Sequence, residues 1–304
     1  MVARALLLRL ADSPGVERFV KRNGFSAGVA RRFVAGERME DTVAPVRALN
    51  ALGITASLDF LGENVDQPAQ AEEFVQYYLR LLNFIDSQRL DSNISLKLTQ
   101  LGLDIGEEMA YENMRKILSH AAQYNQFVRI DMESSRYTQC TLDIFDRLWQ
   151  EHKNVGTVIQ SYLYRGEKDV ERLIESGARV RLVKGAYSEP KELAFQSKTE
   201  VDENFIKLIR PLLDRGNYPA IATHDERMIQ ATIAHAQLGK IPNERYEFQM
   251  LYGIRRERQL SLKKEGYGMR VYVPFGTHWY PYMMRRLAER PANLWFVLKN
   301  LLRR

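Results

Sequence analysis

The chain has 304 residues, 45% of them hydrophobic and 27% charged, with a formal charge of +6. That balance excludes disordered and fibrous classes and leaves room for a large buried core. A single cysteine, Cys140, excludes an intrachain disulfide framework and a cysteine-rich metal site, and points to a reducing, cytoplasmic setting.

The opening MVARALLLRLADS is interrupted by Arg9 and falls short of the ~20 apolar residues that cross a bilayer, so it reads as an amphipathic helix and not a signal. Residues 1–50 are expected to form two or three helices around Gly24, Gly28 and Gly36 that brace the remainder of the chain. From there short apolar, β-branched runs recur: ITASLDFLG (54–62), NISLKLTQLG (93–102), FVRIDMES (127–134), TVIQSYL (157–163), RVRLVKGA (179–186), AIATHD (220–225), YEFQMLYG (246–253) and MRVYVPFG (269–276). Charged helical patterns separate them: 69–87, 107–124, 141–152, 169–177, 202–216, 226–239 and a stretch around 255–264. Gly177, Gly216 and Gly239 stand at helix ends.

Eight strand–helix repeats predict parallel strands with right-handed crossovers, closing as a (βα)8 TIM-type barrel over residues 51–304 with a final helix at the mouth. The structural rival, an open doubly wound sheet, would carry a glycine-rich turn after its first strand. Here that turn reads LGENVD.

A barrel of this kind works at the carboxyl ends of its strands. The polar residues that fall there are Asp59, Glu63, Lys97, Asp131, Gln160, Arg181, Lys184, Thr223, His224, Gln249 and Tyr272. In the last helical pattern Tyr282, Arg285, Arg286 and Glu289 share one face, with Tyr280, Met283, Met284 and Leu287 opposite. Over the mouth, that arginine pair could take a carboxylate through bidentate hydrogen bonds; otherwise the charges simply face water.

RLVKGAY (181–187), ATHD (222–225), FQMLYG (248–253), VYVPFG (271–276) and YMMRRLAE (282–289) together resemble the proline dehydrogenase family, in order and spacing, over roughly residues 50–290. The resemblance implies a distorted barrel that binds FAD and oxidises L-proline to Δ1-pyrroline-5-carboxylate by hydride transfer, the first step of proline catabolism. It implies Arg181 beside the flavin, with Met132, Gln160, Lys184, Gly185, Ala186, Thr223 and His224 lining the cofactor. Lys97, Arg285 and Arg286 would hold the proline carboxylate. Leu251, Tyr187, Tyr272 and Tyr282 would pack around the ring, Glu289 would fix the arginines, and Asp131 would orient Lys97 and the flavin surroundings. Glu63 would gate the site through Arg285. A quinone electron acceptor and a pyrroline-5-carboxylate dehydrogenase partner also follow from the family, as does a single-reaction form without the further regions of long bifunctional relatives.

Two rival readings differ in class. A Schiff-base lyase would use Lys97 or Lys184 as nucleophile. A nucleic-acid-binding protein would explain the pI near 9.3, but the basic residues are dispersed and carry no such motif, so no nucleic acid partner is expected. His120, His152, His224, His235 and His278 lack ligand spacing, so no metal is expected. The closing LWFVLKNLLRR suits either a helix packed on the barrel or peripheral contact with the inner face of a membrane.

Overall fold

A computed structural model describes residues 32–62 and 64–289, with side chains described through Met284. Among the described residues there are eight strands: β1 (Thr55–Phe60), β2 (Ser92–Leu96), β3 (Val128–Ile130), β4 (Val155–Gln160), β5 (Arg179–Val183), β6 (Ala220–Ala222), β7 (Glu247–Leu251) and β8 (Gly268–Phe275). They pair in parallel in chain order, and β8 returns to β1 to close the barrel. The helices are α1 (Val43–Asn50), α2 (Pro68–Ser87), α3 (Glu107–Ala122), α4 (Ser135–Glu151), α5 (Gly166–Glu175), α6 (Lys198–Arg215), α7 (Glu226–Leu238), α8 (Arg256–Lys264) and α9 (Trp279–Glu289).

Alternation along the strands sets which side chains meet the helices. Leu58, Ile94, Leu96, Val128, Ile130, Leu182, Phe248 and Val271 are fully buried and join one cluster with Tyr78 of α2, Ile117 of α3, Phe145 of α4 and Leu212 of α6. Each such side chain contributes roughly 1.5–3 kcal/mol by leaving water, and Leu58→Ala would cost about 2–5 kcal/mol through the cavity left behind. The intervening strand residues are polar: Ser57, Asp59, Ser95, Arg129, Arg181, Gln249 and Arg270. Two of them reach non-neighbouring strands, Arg181 of β5 to Ser95 of β2 and Arg129 of β3 to the Arg179 carbonyl of β5, so these side chains run through the barrel interior. Barrel interiors are usually filled by branched apolar residues. Buried ionic groups are a poor source of stability, so an interior of this kind marks a site.

Several boundaries differ from the sequence expectation for identifiable reasons. The run 93–102 stops being a strand at Leu96, because the Gln100 side chain folds back, accepting from Lys97 N at 2.9 Å and donating to the carbonyls of Phe60 at 2.7 Å and Gly62 at 2.9 Å. Helix α4 begins at Ser135 and not near 141, since the carboxylate of Glu189, from the loop after β5, accepts from Ser135 N at 2.8 Å and from its hydroxyl. Around Gly36 the chain is extended, not helical, and hydrogen-bonds to the end of β8 through Ala35 N to Pro274 O and Gly276 N to Gly36 O, both 2.9 Å. The expected helices of residues 1–31 lie outside the described residues. Of the helix-ending glycines, only Gly177 uses a left-handed conformation, φ +73°.

Candidate active site at the carboxyl end of the barrel

The centre of the site is Asp131, the first residue after β3. Its Oδ1 accepts from Arg181 Nη1 at 2.6 Å and its Oδ2 from the Tyr272 hydroxyl at 2.7 Å. Arg181 also donates through Nη2 to Ser95 Oγ at 3.0 Å, and its guanidinium lies 5.4 Å from the Tyr272 ring centroid. Lys97, just beyond β2, places Nζ 3.4 Å from Asp59 Oδ1. Four strands and two strand ends thus bring two carboxylates, two cations and a phenol together, and Ser57 joins Ser95 at 3.3 Å beneath them.

Burial sets the protonation of this group. Asp59 is 1% exposed. Desolvation, reinforced by the charge of Asp131, raises its pKa above the usual carboxylate value although Lys97 and Tyr272 oppose it. The Tyr272 phenol is pushed well above its ordinary value by burial and then by Asp131 and Asp59, so it remains a neutral donor. Two buried polar atoms here find no partner: Arg181 Nε and Gln160 Oε1. They stand on adjacent strands, where Gln160 pairs with Val183 and Val158 with Arg181.

The residues expected to line a cofactor divide into two sets. Met132 and Gln160 are buried beside this centre, and Gln160 Nε2 donates to Glu133 O at 3.2 Å. Lys184, Thr223 and His224 form a second group over the ends of β5 and β6. Lys184 Nζ is shared between Asp202 at 2.5 Å and Asp225 at 2.9 Å. Burial pushes Asp202 up, but hydrogen bonds from Lys184 and Lys198 outweigh it and hold its carboxyl below the usual range. Thr223 Oγ1 accepts from Asp225 N at 3.0 Å, and His224 Nε2 accepts from Leu251 N at 2.9 Å. Gly185 adopts φ +109°, and a Cβ there would run into the Tyr162 ring, so its bare face is covered by that ring. Ala186 and Tyr187 come next in the same loop, with Tyr187 exposed.

Two expectations need correction. Gln249 departs from the expected rim: its Nε2 donates to Glu247 Oε1 at 2.5 Å, so it belongs to a lower polar layer toward the amino end. Tyr282, which helical spacing assigns to the polar face of α9, is 7% exposed and lies in the same apolar cluster as Tyr280, Met283 and Met284. The cause is that Phe33, Val34, Leu61 and Ile254 surround the first turn, with Leu251 packed against them. The side chains of Arg285, Arg286 and Glu289 lie outside the described residues, as does Glu63 and with it the expected gate to Arg285. Sequence reasoning misses Ser95, Asp202 and Asp225, which are visible only once the barrel closes.

Comparison with known proteins gives one answer. The family model for proline dehydrogenase matches residues 42–299. The chain is 46% identical over 301 residues to proline dehydrogenase 1 of Bacillus subtilis subsp. natto, covering 99% of each. It is 39% identical over 305 residues to proline dehydrogenase of Deinococcus radiodurans, covering 99% of this chain and 98% of that one. Among solved structures it matches proline utilization A (PutA) from Bdellovibrio bacteriovorus, inactivated by N-propargylglycine, with TM-score 0.82 and 27% identity over 89% of this chain and 33% of that one. The chain therefore spans about a third of that PutA. With a closed eightfold barrel and a matched family model over most of its length, the chain belongs to the proline dehydrogenase family.

Proposed function

We propose that this protein is an FAD-dependent dehydrogenase that oxidises L-proline to Δ1-pyrroline-5-carboxylate at the carboxyl end of the barrel. The observation that carries the reading is Arg181, buried in a proline dehydrogenase barrel with Nη1 and Nη2 fixed by Asp131 and Ser95 while Nε is left without an acceptor. The residues present fit a flavin: a polar ring edge offers both acceptors and an N–H donor, which match the unpartnered Arg181 Nε and Gln160 Oε1. Gln160, Arg181, Met132, Thr223 and His224 would hold the cofactor, with Lys184, Gly185 and Ala186 beside it. Bound FAD supplies a hydride acceptor.

The chain's own task is orientation and electrostatics. Arg181, fixed by two partners, presents positive charge where negative charge accumulates. Arg285, Arg286 and Lys97 would grip the substrate carboxylate, with Glu289 fixing the arginines and Glu63 closing over them. Tyr272, Leu251, Tyr187 and Tyr282 would confine the ring. The substrate amine must be neutral, because its lone pair stabilises the iminium formed as hydride leaves. A Schiff-base lyase is disfavoured by Lys184 and Lys97, whose amines are engaged with carboxylates and not isolated in an apolar pocket.

Among the described residues no helix is long and apolar enough to cross a membrane. A quinone acceptor, reached by peripheral contact of the 294–304 segment, and hand-over of product to a partner dehydrogenase complete the proposal; the chain aligns with 24% of the bifunctional protein PutA of Escherichia coli. The test is proline-dependent dye reduction by the purified protein, with the cyclic imine captured by an aminobenzaldehyde. Borohydride trapping of a protein–substrate adduct, without imine release, would instead favour the lyase.

A further inference from the structure

The amino-terminal end of the barrel is polar too. A cavity of about 370 Å³ lies there, lined among others by Asn93, Gln126, Arg129, Arg179, Glu247 and Arg270. These residues come from the first half of their strands, from the middle of the short β3 in the case of Arg129, or from loops that lead into the strands, so the cavity faces away from the site described above. Its size falls within the ~300–1,000 Å³ usual for small-molecule sites.

Its rim carries Asp86, Arg89 and Asp91, all exposed, and inside that rim the charges do not balance. Glu247, 3% exposed, is taken by Arg270, whose Nε lies 2.9 Å from Oε1 and 3.2 Å from Oε2. Arg129 and Arg179 have no carboxylate partner among the described residues. Arg129 is 3% exposed; its Nη1 donates to the carbonyls of Thr157 at 3.0 Å and Arg179 at 2.5 Å, and its Nε finds no acceptor. The Arg179 guanidinium lies 5.3 Å from the Phe127 ring and 5.4 Å from that of Tyr218, at the lip of the cavity. Asn93 Oδ1 and Gln126 Oε1 are buried without donors. A guanidinium as deep as Arg129 is ordinarily paired, because an uncompensated buried charge is strongly destabilising.

We propose that this cavity binds a compact oxyanion between Arg129 and Arg179, and that the anion carries a hydroxyl that donates to one of the two amide oxygens, Asn93 Oδ1 or Gln126 Oε1. Inorganic phosphate and a small hydroxycarboxylate share this chemistry, and calorimetric titration of the holoenzyme with phosphate or with malate, at constant ionic strength, separates them. One of the two should bind saturably with one equivalent per chain and raise Tm. Arg179→Met, at the half-buried lip where methionine can pack on Phe127 and Tyr218, should weaken that binding at least about tenfold, the loss expected for a bidentate charged partner. Arg179→Lys, which keeps the charge and loses the planar fork, should fall between the two. Succinate, which is malate without its hydroxyl, should bind more weakly than malate does. The proposal fails if neither anion binds saturably, or if Arg179→Met and Arg179→Lys bind as the native protein does, since an anion held at the substrate site would survive both changes.

Discussion

Replacing Asp131 by asparagine isolates the anchor of the site, because the shape is kept and only the charge is removed. At 2.6 Å from Arg181 Nη1, the pair interacts by about 6 kcal/mol at the effective dielectric of roughly 20 that suits protein sites. Arg181 is 6% exposed and Asp131 13%, so water cannot replace the lost partner. Removing one member of a buried pair typically costs about 3–5 kcal/mol. The unfolding free energy of Asp131→Asn should therefore drop by about 3 kcal/mol or more in urea titrations at pH 7, with Tyr272 still able to donate to the amide oxygen. Turnover should fall by about 10²–10³, the usual loss when a charge-stabilising donor is displaced. A variant whose stability stays within about 0.5 kcal/mol, as for an ordinary surface change, and whose kcat is unchanged would refute the anchoring role.

Three further outcomes are expected. Arg285→Met should raise KM for proline by about 30-fold or more, corresponding to the loss of about 2 kcal/mol or more from a carboxylate clamp, with flavin content preserved; unchanged saturation kinetics would count against the clamp. Tyr272→Phe leaves a buried Asp131 oxygen without its donor and should lower stability by about 1–3 kcal/mol in urea, whereas the bulk of the ring should make 4-hydroxyproline a poor substrate of the native protein; equal kcat/KM for the two substrates would overturn the steric assignment. Burial pushes Glu247 up, but Arg270 outweighs it and holds the carboxyl below its ordinary 4.5. Its contribution is thus present above pH 4.5 and lost as pH falls through the lower folded value, so the stability gap between the native protein and Glu247→Gln should be constant near neutrality and shrink on acidification below 4.5.

The barrel is legible in the sequence because its strands alternate between helix-facing apolar residues and inward polar ones, and because eight such runs recur between helical patterns. Strand ends extend too far in such a reading wherever polar chemistry continues past the last ladder pair, as at Lys97 and Asp131. The start of α4 is hidden because its cap, Glu189, comes from a loop 54 residues away. Arg181 and Tyr272 are singled out by motifs and Asp131 by its place at a strand end, yet their mutual hydrogen bonds depend on closure and on which strands face each other across the interior. Ser95 escapes notice for the same reason: a serine in NISLK gives no local sign that it will meet an arginine 86 positions later. Tyr282 falls on the wrong face because helical spacing alone does not report that Phe33 and Val34 cover the first turn of α9 from the other side.

A flavin held at the carboxyl end of this barrel, accepting hydride from proline, underlies every role assigned to the site. The most direct test is the visible spectrum of the purified protein, recorded without oxygen before and after proline is added. A flavin absorption band that bleaches on addition of proline is expected. A protein that stays colourless after reconstitution with FAD, or a flavin band that proline leaves unchanged, would contradict it.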